Sequence, residues 1–401
     1  MLYKFAMRNI WRNQRRSFVA IGSIAVGVFG LLFLQGFFSG LIALHKENSI
    51  HSRFGHGQIM TRGYWGQPFE KPWERWIDDP EDLINELRAR EEVAQIFPRV
   101  QFFAMLSNGS LNVAGRGQGV VGASEEGFFD KMNFVSGHAL GQEEDGLVMG
   151  VGLARALGVK IGDPVTVLGQ TVHGTINAVD TRVVGIFHVG MKEADDSLFQ
   201  LQLPKAQILL GTNKIESITV ALKDESLWPV FAEHVNRDFP EYEAISLYVL
   251  DQVWAENGEL FLTALLNIFR LVFVGMIMLA IYNSASNTVL ERKRELGMLR
   301  AHGEAPQELI QLLLIESIML AFLGAFIGVV STYVIAFFAA NGIPMPPTPG
   351  TNRELPVRLD LRWSYLLTAS CLGLVTATAA SFLSTLQVLK LSVVKALRSP
   401  V

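Results

Sequence analysis

The sequence predicts an α-helical membrane protein with four transmembrane helices and a large α+β domain inserted between the first and second. Three observations carry that expectation. Four long apolar runs occupy the chain, one near its start and three in its final third. A stretch of ordinary soluble composition, residues 45–258, separates the first run from the second. Basic residues cluster in the short segments at the ends of the runs.

A helix needs about 20 apolar residues to cross the hydrocarbon core of a bilayer. Residues 17–44 and 363–389 carry no charge, 259–290 carries Glu259 at its edge and Arg270 within it, and 307–340 carries Glu308 and Glu316. Backbone groups in lipid have no water to bond, so each run is expected to be helical. The first run would measure about 42 Å as a helix. That exceeds the roughly 30 Å core, so the helix is expected to tilt or to project as a stalk. It is too long for a secretory leader, and no small-residue cleavage site precedes the polar His45-Lys46-Glu47.

Orientation follows from the basic segments. Residues 1–16 hold Lys4, Arg8, Arg12, Arg15 and Arg16 without an acid and read as an interfacial amphipathic helix. The loop 291–306 holds Arg292, Lys293, Arg294 and Arg300, and the tail 390–401 holds Lys390, Lys395 and Arg398. Both termini and that loop are expected in the cytoplasm. The large domain and the Pro-rich loop 341–362 are expected on the opposite side.

The 50% hydrophobic content and mean hydropathy of +0.29 are modest because the soluble stretch dilutes the spans. The formal charge of −4 says little about partners, but nothing in the sequence resembles a nucleic-acid-binding patch. Cys371 is the only cysteine, so no intrachain disulfide can form and the domain must rely on its own core. A domain of this length buries about 70% of its unfolded surface.

Within the domain, Gly57–Met60 reads as a strand. Asp79-Pro80-Glu81 opens a helix to about Arg90, with Asp79 as cap and Pro80 as first helical residue. Val100–Ala123 alternates apolar residues with glycines, which suggests paired strands. Gly146–Gly158 reads as strand then helix, and Val165–Val189 as β-rich. Glu225–Phe239 reads as an amphipathic helix between the strands Ser217–Val220 and Ala244–Leu247.

Several chemistries lack their residues. No G-x-x-x-x-G-K-[ST] phosphate loop occurs, so nucleotide binding by that device is excluded. The eight histidines are scattered without metal-ligand spacing, and no metal site or catalytic residue is expected. Asp145, Glu193, Asp195 and Asp196 read as solvated loop charges rather than an acid–base pair. Arg270 and Glu316 are ionisable groups inside spans, where charge is costly and function is the default suspicion. Arg270 either snorkels outward or sits in a stalk. Glu316 is expected to bond polar neighbours such as Asn283 or Ser286 and to fix helix packing. Gly36-x-x-x-Gly40 and Gly324-x-x-x-Gly328 permit close helix approach, within the chain or between subunits.

The segment from Asn283 to Gly303 leaves the second span through a polar collar and becomes a charged amphipathic helix, broken at Gly303 with Pro306 behind it. Leu296 and Leu299 share a helical face, and Glu291, Glu295, Arg292, Arg294 and Arg300 surround them. Such a helix suits a groove on a cytoplasmic partner. The same pattern also suits an interfacial turn held on anionic lipid.

The segment resembles the E-R-x-x-E-hydrophobic-G-x-L-R-A-x-G signature of FtsX-like ABC transporter permeases of the MacB/LolC/LolE type. The resemblance continues in Ala6–Asn13, in Phe54-Gly55-His56-Gly57-Gln58-Ile59, in Gly150–Asp163, in Val183–Phe187, in Leu203–Gln207 and in Leu391–Arg398. His302 and Glu304 depart from the family pattern. The resemblance implies a periplasmic domain with a porter-like part and a β-rich insertion. It makes Glu291, Arg292, Arg294, Glu295, Leu296, Gly297, Met298, Leu299, Arg300, Ala301 and Gly303 a coupling helix that contacts a cytoplasmic ABC ATPase dimer.

On that resemblance this chain binds no cofactor, and ATP and Mg belong to the partner. It also implies the bacterial inner membrane, a second permease copy or a paralogue, and contact with membrane lipids. The expected cargo is a lipoprotein or lipid passed to a periplasmic carrier or adaptor. An FtsX-like signalling scaffold and a MacB-like tripartite efflux permease are the alternatives within the same resemblance.

Overall fold

The computed structural model of the chain describes residues 14–67, 69–125, 127–190, 192–345 and 355–386. The expected interfacial helix before Gln14, residues 346–354 of the Pro-rich loop and the basic tail lie outside the described residues. From the N-terminal side the elements are α1 (Gln14–Ser49), β1 (Gly57–Thr61), α2 (Glu81–Arg88), β2 (Val93–Ser107), β3 (Asn112–Val120), α3 (Gly122–Glu125), β4 (Asn133–Gly137), β5 (Gly146–Gly150), α4 (Val151–Leu157), β6 (Pro164–Gln170) and β7 (Ile176–His188). They continue with α5 (Lys192–Ser197), β8 (Leu198–Gln202), α6 (Leu203–Leu210), β9 (Ser217–Leu222), α7 (Trp228–Asp238), β10 (Tyr242–Ser246), α8 (Leu247–Leu250), α9 (Leu260–Glu291), α10 (Lys293–Ala301), α11 (Pro306–Phe338) and α12 (Trp363–Thr385).

The chain divides into two compact units. One holds the chain up to Leu44, Asn257–Pro344 and the chain from Pro356, and the other centres on His45–Glu256. Four helices are long and apolar enough to cross a membrane: Ser17–Phe54, Trp254–Glu291, Gln307–Phe338 and Trp363–Thr385.

In the helical unit the interior is small. Ile24, Val28, Leu31 and Leu32 of α1 meet Ile277 and Ile281 of α9, Ala321 and Ala325 of α11, and Ala369, Ala377 and Ala380 of α12. Large apolar side chains point outward instead, including Leu271, Phe322, Phe337 and Val375. Water would penalise such a surface, whereas lipid solvates it at no cost. A Cβ on Gly324 would lie 2.7 Å from the Ile24 Cβ, and one on Gly328 would lie 2.7 Å from the Ala25 carbonyl oxygen. That pair of glycines therefore seats α1 against α11 within one chain. Gly36 and Gly40 face Leu361 and the Arg358 carbonyl, and the Asp360 N–H donates to the Gly36 oxygen at 3.0 Å.

The second unit is built on one long strand. The first half of β2 pairs with β9 through Arg99↔Ser217, which joins it to the β10-β1-β9 group. Its second half pairs with β3 from Val100 and also with β6 from Ala104. The sequence reading began this strand at Val100. The strand in fact starts at Val93, and it changes partners between Arg99 and Val100, just after Pro98. β6 also pairs with β7, so β2-β3-β8-β5-β7-β6 closes on itself as a six-stranded barrel. Closure leaves these strands no free edges.

The pleat sorts β2, with Phe102, Ala104 and Leu106 buried and Phe103 and Met105 exposed. Opposite them, Gly115, Gly117 and Gly119 occupy inward positions of β3. A Cβ on Gly117 would fall 2.5 Å from Phe102 and 2.7 Å from Phe199. Those glycines make room for the two rings that fill the barrel, which pack edge to face at 5.8 Å.

Outside the barrel, α7 buries Trp228, Phe231 and Val235 along one stripe. Each ring contributes roughly 2–3 kcal/mol by leaving water. Helix α2 starts one residue later than its sequence suggested. Asp79 sits at φ +44° and makes no cap, while the Pro80 carbonyl accepts the Ile84 N–H at 2.9 Å. Asp195 is also not a solvated loop charge. It is fully buried and accepts bonds from His188 Nδ1 at 2.6 Å and the Val189 N–H at 2.9 Å.

Candidate functional site

The short helix between the second and third spans is isolated from both by defined breaks. Helix α9 ends at Glu291, and Arg292 leaves helical geometry at φ −93°, ψ 11°. The Arg292 carbonyl then accepts the Leu296 N–H at 2.8 Å and starts α10. At the far end the His302 N–H donates to Met298 and the Glu304 N–H to Leu299, at 3.0 and 3.2 Å. Gly303 turns the chain at φ +98°, a conformation that disfavours any Cβ. Extended Ala305 precedes Pro306 at the first turn of α11.

Packing decides which face of α10 is exposed. Leu296 is buried against Val289, Leu309 and Leu313, and Gly297 is buried beside it. Met298 and Leu299 are 46% and 37% exposed, with Glu291, Arg294, Glu295, Ala301 and Gly303 also exposed. The exposed face therefore presents two apolar side chains inside a mixed-charge rim. Leu296 is corrected from a docking knob to an internal anchor. The Arg300 side chain lies outside the described structure.

Arg292 is also corrected, from the rim to the interior. It is 7% exposed and its Nη1 donates to Glu316 Oε2 at 3.2 Å, while Glu316 is 4% exposed. Of the two polar neighbours expected for Glu316, Asn283 is exposed and Ser286 is half-buried. A cavity of about 20 Å³ adjoins Glu316 and is lined by Ser284, Thr288, Ser317 and Thr385, with room for one water. The spans thus hold a buried ion pair that residue spacing alone did not join.

Arg270 is half-buried and is tied between helices. Its Nη1 donates to Asn267 Oδ1 at 3.3 Å and its Nη2 to Gln35 Oε1 on α1. Gln35 Nε2 donates to Ser39 Oγ at 3.5 Å, and Ser39 Oγ to the Tyr365 hydroxyl at 3.2 Å on α12. Sequence reasoning flagged Arg270 and missed Gln35, Ser39 and Tyr365, because neutral polar residues in a span carry little signal.

In the domain, Arg99 and Glu125 form a second buried ion pair that sequence reasoning also missed. The Nε and Nη2 of Arg99 lie 2.9 and 2.8 Å from Glu125 Oε1. The clue was an arginine inside the apolar run Ile96-Phe97-Pro98-Arg99-Val100. Burial pushes the Glu125 carboxyl up, and Arg99 pulls it back. Among the described residues no cluster of three or more His, Cys, Asp or Glu could hold a metal ion.

Two family models match the chain: the MacB-like periplasmic core domain over residues 17–237 and the FtsX-like permease C-terminal region over 267–393. The lipoprotein-releasing system transmembrane protein LolC of Neisseria meningitidis serogroup B is 25% identical over 339 residues, 80% of this chain and 77% of that one. LolE of Haemophilus influenzae is 23% identical over 355 residues, 81% of each chain. The periplasmic region of MacB from Actinobacillus actinomycetemcomitans aligns with a TM-score of 0.36 and 16% identity, over 50% of this chain and 92% of that one. With the core-domain model spanning more than half its length, this chain belongs to the FtsX/MacB/LolCE family of ABC transporter permeases of the bacterial inner membrane, which work with cytoplasmic ABC ATPases.

Proposed function

We infer that this chain is the non-catalytic membrane subunit of a LolCDE-type machine, driven by a separate ATPase that holds the ATP and Mg. The observation that carries this reading is the exposed face of α10, where Met298 and Leu299 stand inside a rim of Glu291, Arg294 and Glu295. An apolar pair ringed by alternating charge fits a groove in a cytoplasmic protein, with the rim setting register. Basic residues at both termini and in this loop support a cytoplasmic location for all three. Closure of the ATPase pair on ATP displaces α10, and the spans carry that displacement to the periplasmic domain. A second permease, identical or paralogous, completes the membrane part.

The cargo on this reading is a lipoprotein or lipid. The support is the extent of the match, about four-fifths of relatives whose names describe lipoprotein release. The chain is to be purified with the ABC ATPase that co-expresses with it, and the bound molecules identified by mass spectrometry. Lipoprotein or diacyl lipid held in stoichiometric amount supports the reading. A periplasmic adaptor in its place points to tripartite efflux, and a cell-wall hydrolase without cargo points to a signalling scaffold. ATP hydrolysis by this chain alone would remove the proposal.

A further inference from the structure

We propose that Arg292 and Glu316 are positioning residues through which movement of α10 sets the tilt of α11. This rests on the reading of α10 as the ATPase contact and goes beyond it, since neither side chain faces a partner.

Arg292 is the one residue between two helices that is not itself helical, so its backbone is the joint on which α10 turns. Its side chain is buried rather than solvated and ends on Glu316. Below that contact, Leu296 of α10 rests on Leu309 and Leu313. Leu309, Leu313 and Glu316 follow at steps of four and three, so they form one stripe along a single face of α11. The stripe begins about one turn above Pro306 and ends roughly 15 Å along the helix. A helix gripped at points this far apart follows its neighbour in angle. The loop 302–305 alone would pull only on its foot.

The chemistry of the upper grip suits a moving part. Removing Glu316 would leave a buried guanidinium without a counter-charge, so the pair holds firmly as a unit. Yet Arg292 spends only Nη1 on it. Its Nε and Nη2 have no hydrogen-bond partner. Those two spare nitrogens allow the arginine to slide along Glu316 by exchanging one donor for another.

The test uses the full chain with Cys371→Ser, in lipid nanodiscs, bound to its co-purifying ABC ATPase. Spin labels at Leu260→Cys on α9 and Phe338→Cys on α11, both exposed at the ends of their helices, report the distance between the two helices by pulsed electron resonance. ATP with vanadate is expected to shift that distance in the parent protein. In Glu316→Gln the ATPase is captured within twofold of the parent, but at least tenfold fewer chains shift. The swap Arg292→Glu with Glu316→Arg restores the shift to within threefold. The apolar pair Arg292→Met with Glu316→Leu keeps the bundle folded and does not shift.

A full shift in Glu316→Gln or in the apolar pair overturns the proposal, as does a parent complex that does not shift at all. An unrestored swap overturns the ionic part. Arg294→Glu serves as the separate control on the exposed face. If it leaves ATPase capture intact, the reading of α10 fails, whatever the ion pair does.

Discussion

Among the described residues, each unit of this protein holds a buried arginine–glutamate pair, and the two are bonded very differently. In the domain, Arg99 is 1% exposed and spends all three nitrogens. Two bond Glu125, and Nη1 donates to the Arg53 carbonyl at 2.6 Å. Its carbon centre lies 4.2 Å from the Phe129 ring centroid. In the helical unit, Arg292 makes a single bond to Glu316 at 3.2 Å and leaves Nε and Nη2 without an acceptor. A fully satisfied network rigidifies its surroundings, whereas a partly satisfied one leaves a choice of arrangement. The first pair locks the start of the domain onto β2. The second holds a joint that can move.

The surroundings follow the same division. Around Arg99 the core is made of large rings: Phe97, Phe128 and Phe129 pack edge-to-face or tilted at centroid distances of 5.0–5.5 Å. Around Arg292 and Glu316 the packing is aliphatic, with Val289, Leu296, Leu309 and Leu313 and no aromatic ring among them. Large rings interdigitate and resist displacement more than a small aliphatic cluster does.

The largest effect is expected where the bonding is complete. Arg99→Met strands the Glu125 carboxylate and should lower domain stability by about 3–4 kcal/mol, read from denaturant unfolding of the full chain in detergent. A loss below about 1 kcal/mol would erase the contrast between the pairs. Gly328→Leu forces a side chain into the α1 backbone and should cost the bundle roughly 2–3 kcal/mol while the domain transition stays put. If only the domain transition moves, the glycine contact described for α1 and α11 is wrong.

A smaller effect sharpens the contrast through pH. Burial pushes the Glu216 carboxyl up from 4.5 to about 7, although Tyr64 and the Gln101 N–H bond it at 2.8 and 3.0 Å. Its folded value exceeds its unfolded one, so its stabilising contribution is complete below about pH 4.5. That contribution is lost as pH rises through about 7. Full linkage would be about 3 kcal/mol, and partial exposure screens it to roughly 1–2 kcal/mol. Glu216→Gln should flatten the loss of domain stability between pH 5 and pH 8, while the bundle is unaffected. An unchanged slope in the variant would assign that pH dependence to other groups.

The smallest effect on stability is expected at the exposed face of α10. Met298→Asp should change unfolding by less than about 0.5 kcal/mol, because the side chain is exposed. It should nonetheless reduce ATPase capture at least tenfold. Leu296→Asp is the informative contrast, since it buries a carboxylate among Val289, Leu309 and Leu313 and should disturb the loop itself.

The sequence by itself determined the spans and the inserted domain, because the length of an uncharged run is a local property that lipid reads directly. It also marked the short helix and the turn at Gly303 that separate the second and third spans, since caps, breaks and charge patterns are local too. It did not show that Leu296 turns inward while Met298 and Leu299 turn outward, because three apolar residues within four positions fit either helical face. Barrel closure was equally hidden, because β2 and β6 are joined only by long-range register. Nor could spacing pair Arg99 with Glu125, or Arg292 with Glu316. Those choices belong to the tertiary structure, where the cost of a buried charge is met by whichever opposite charge the fold brings within reach.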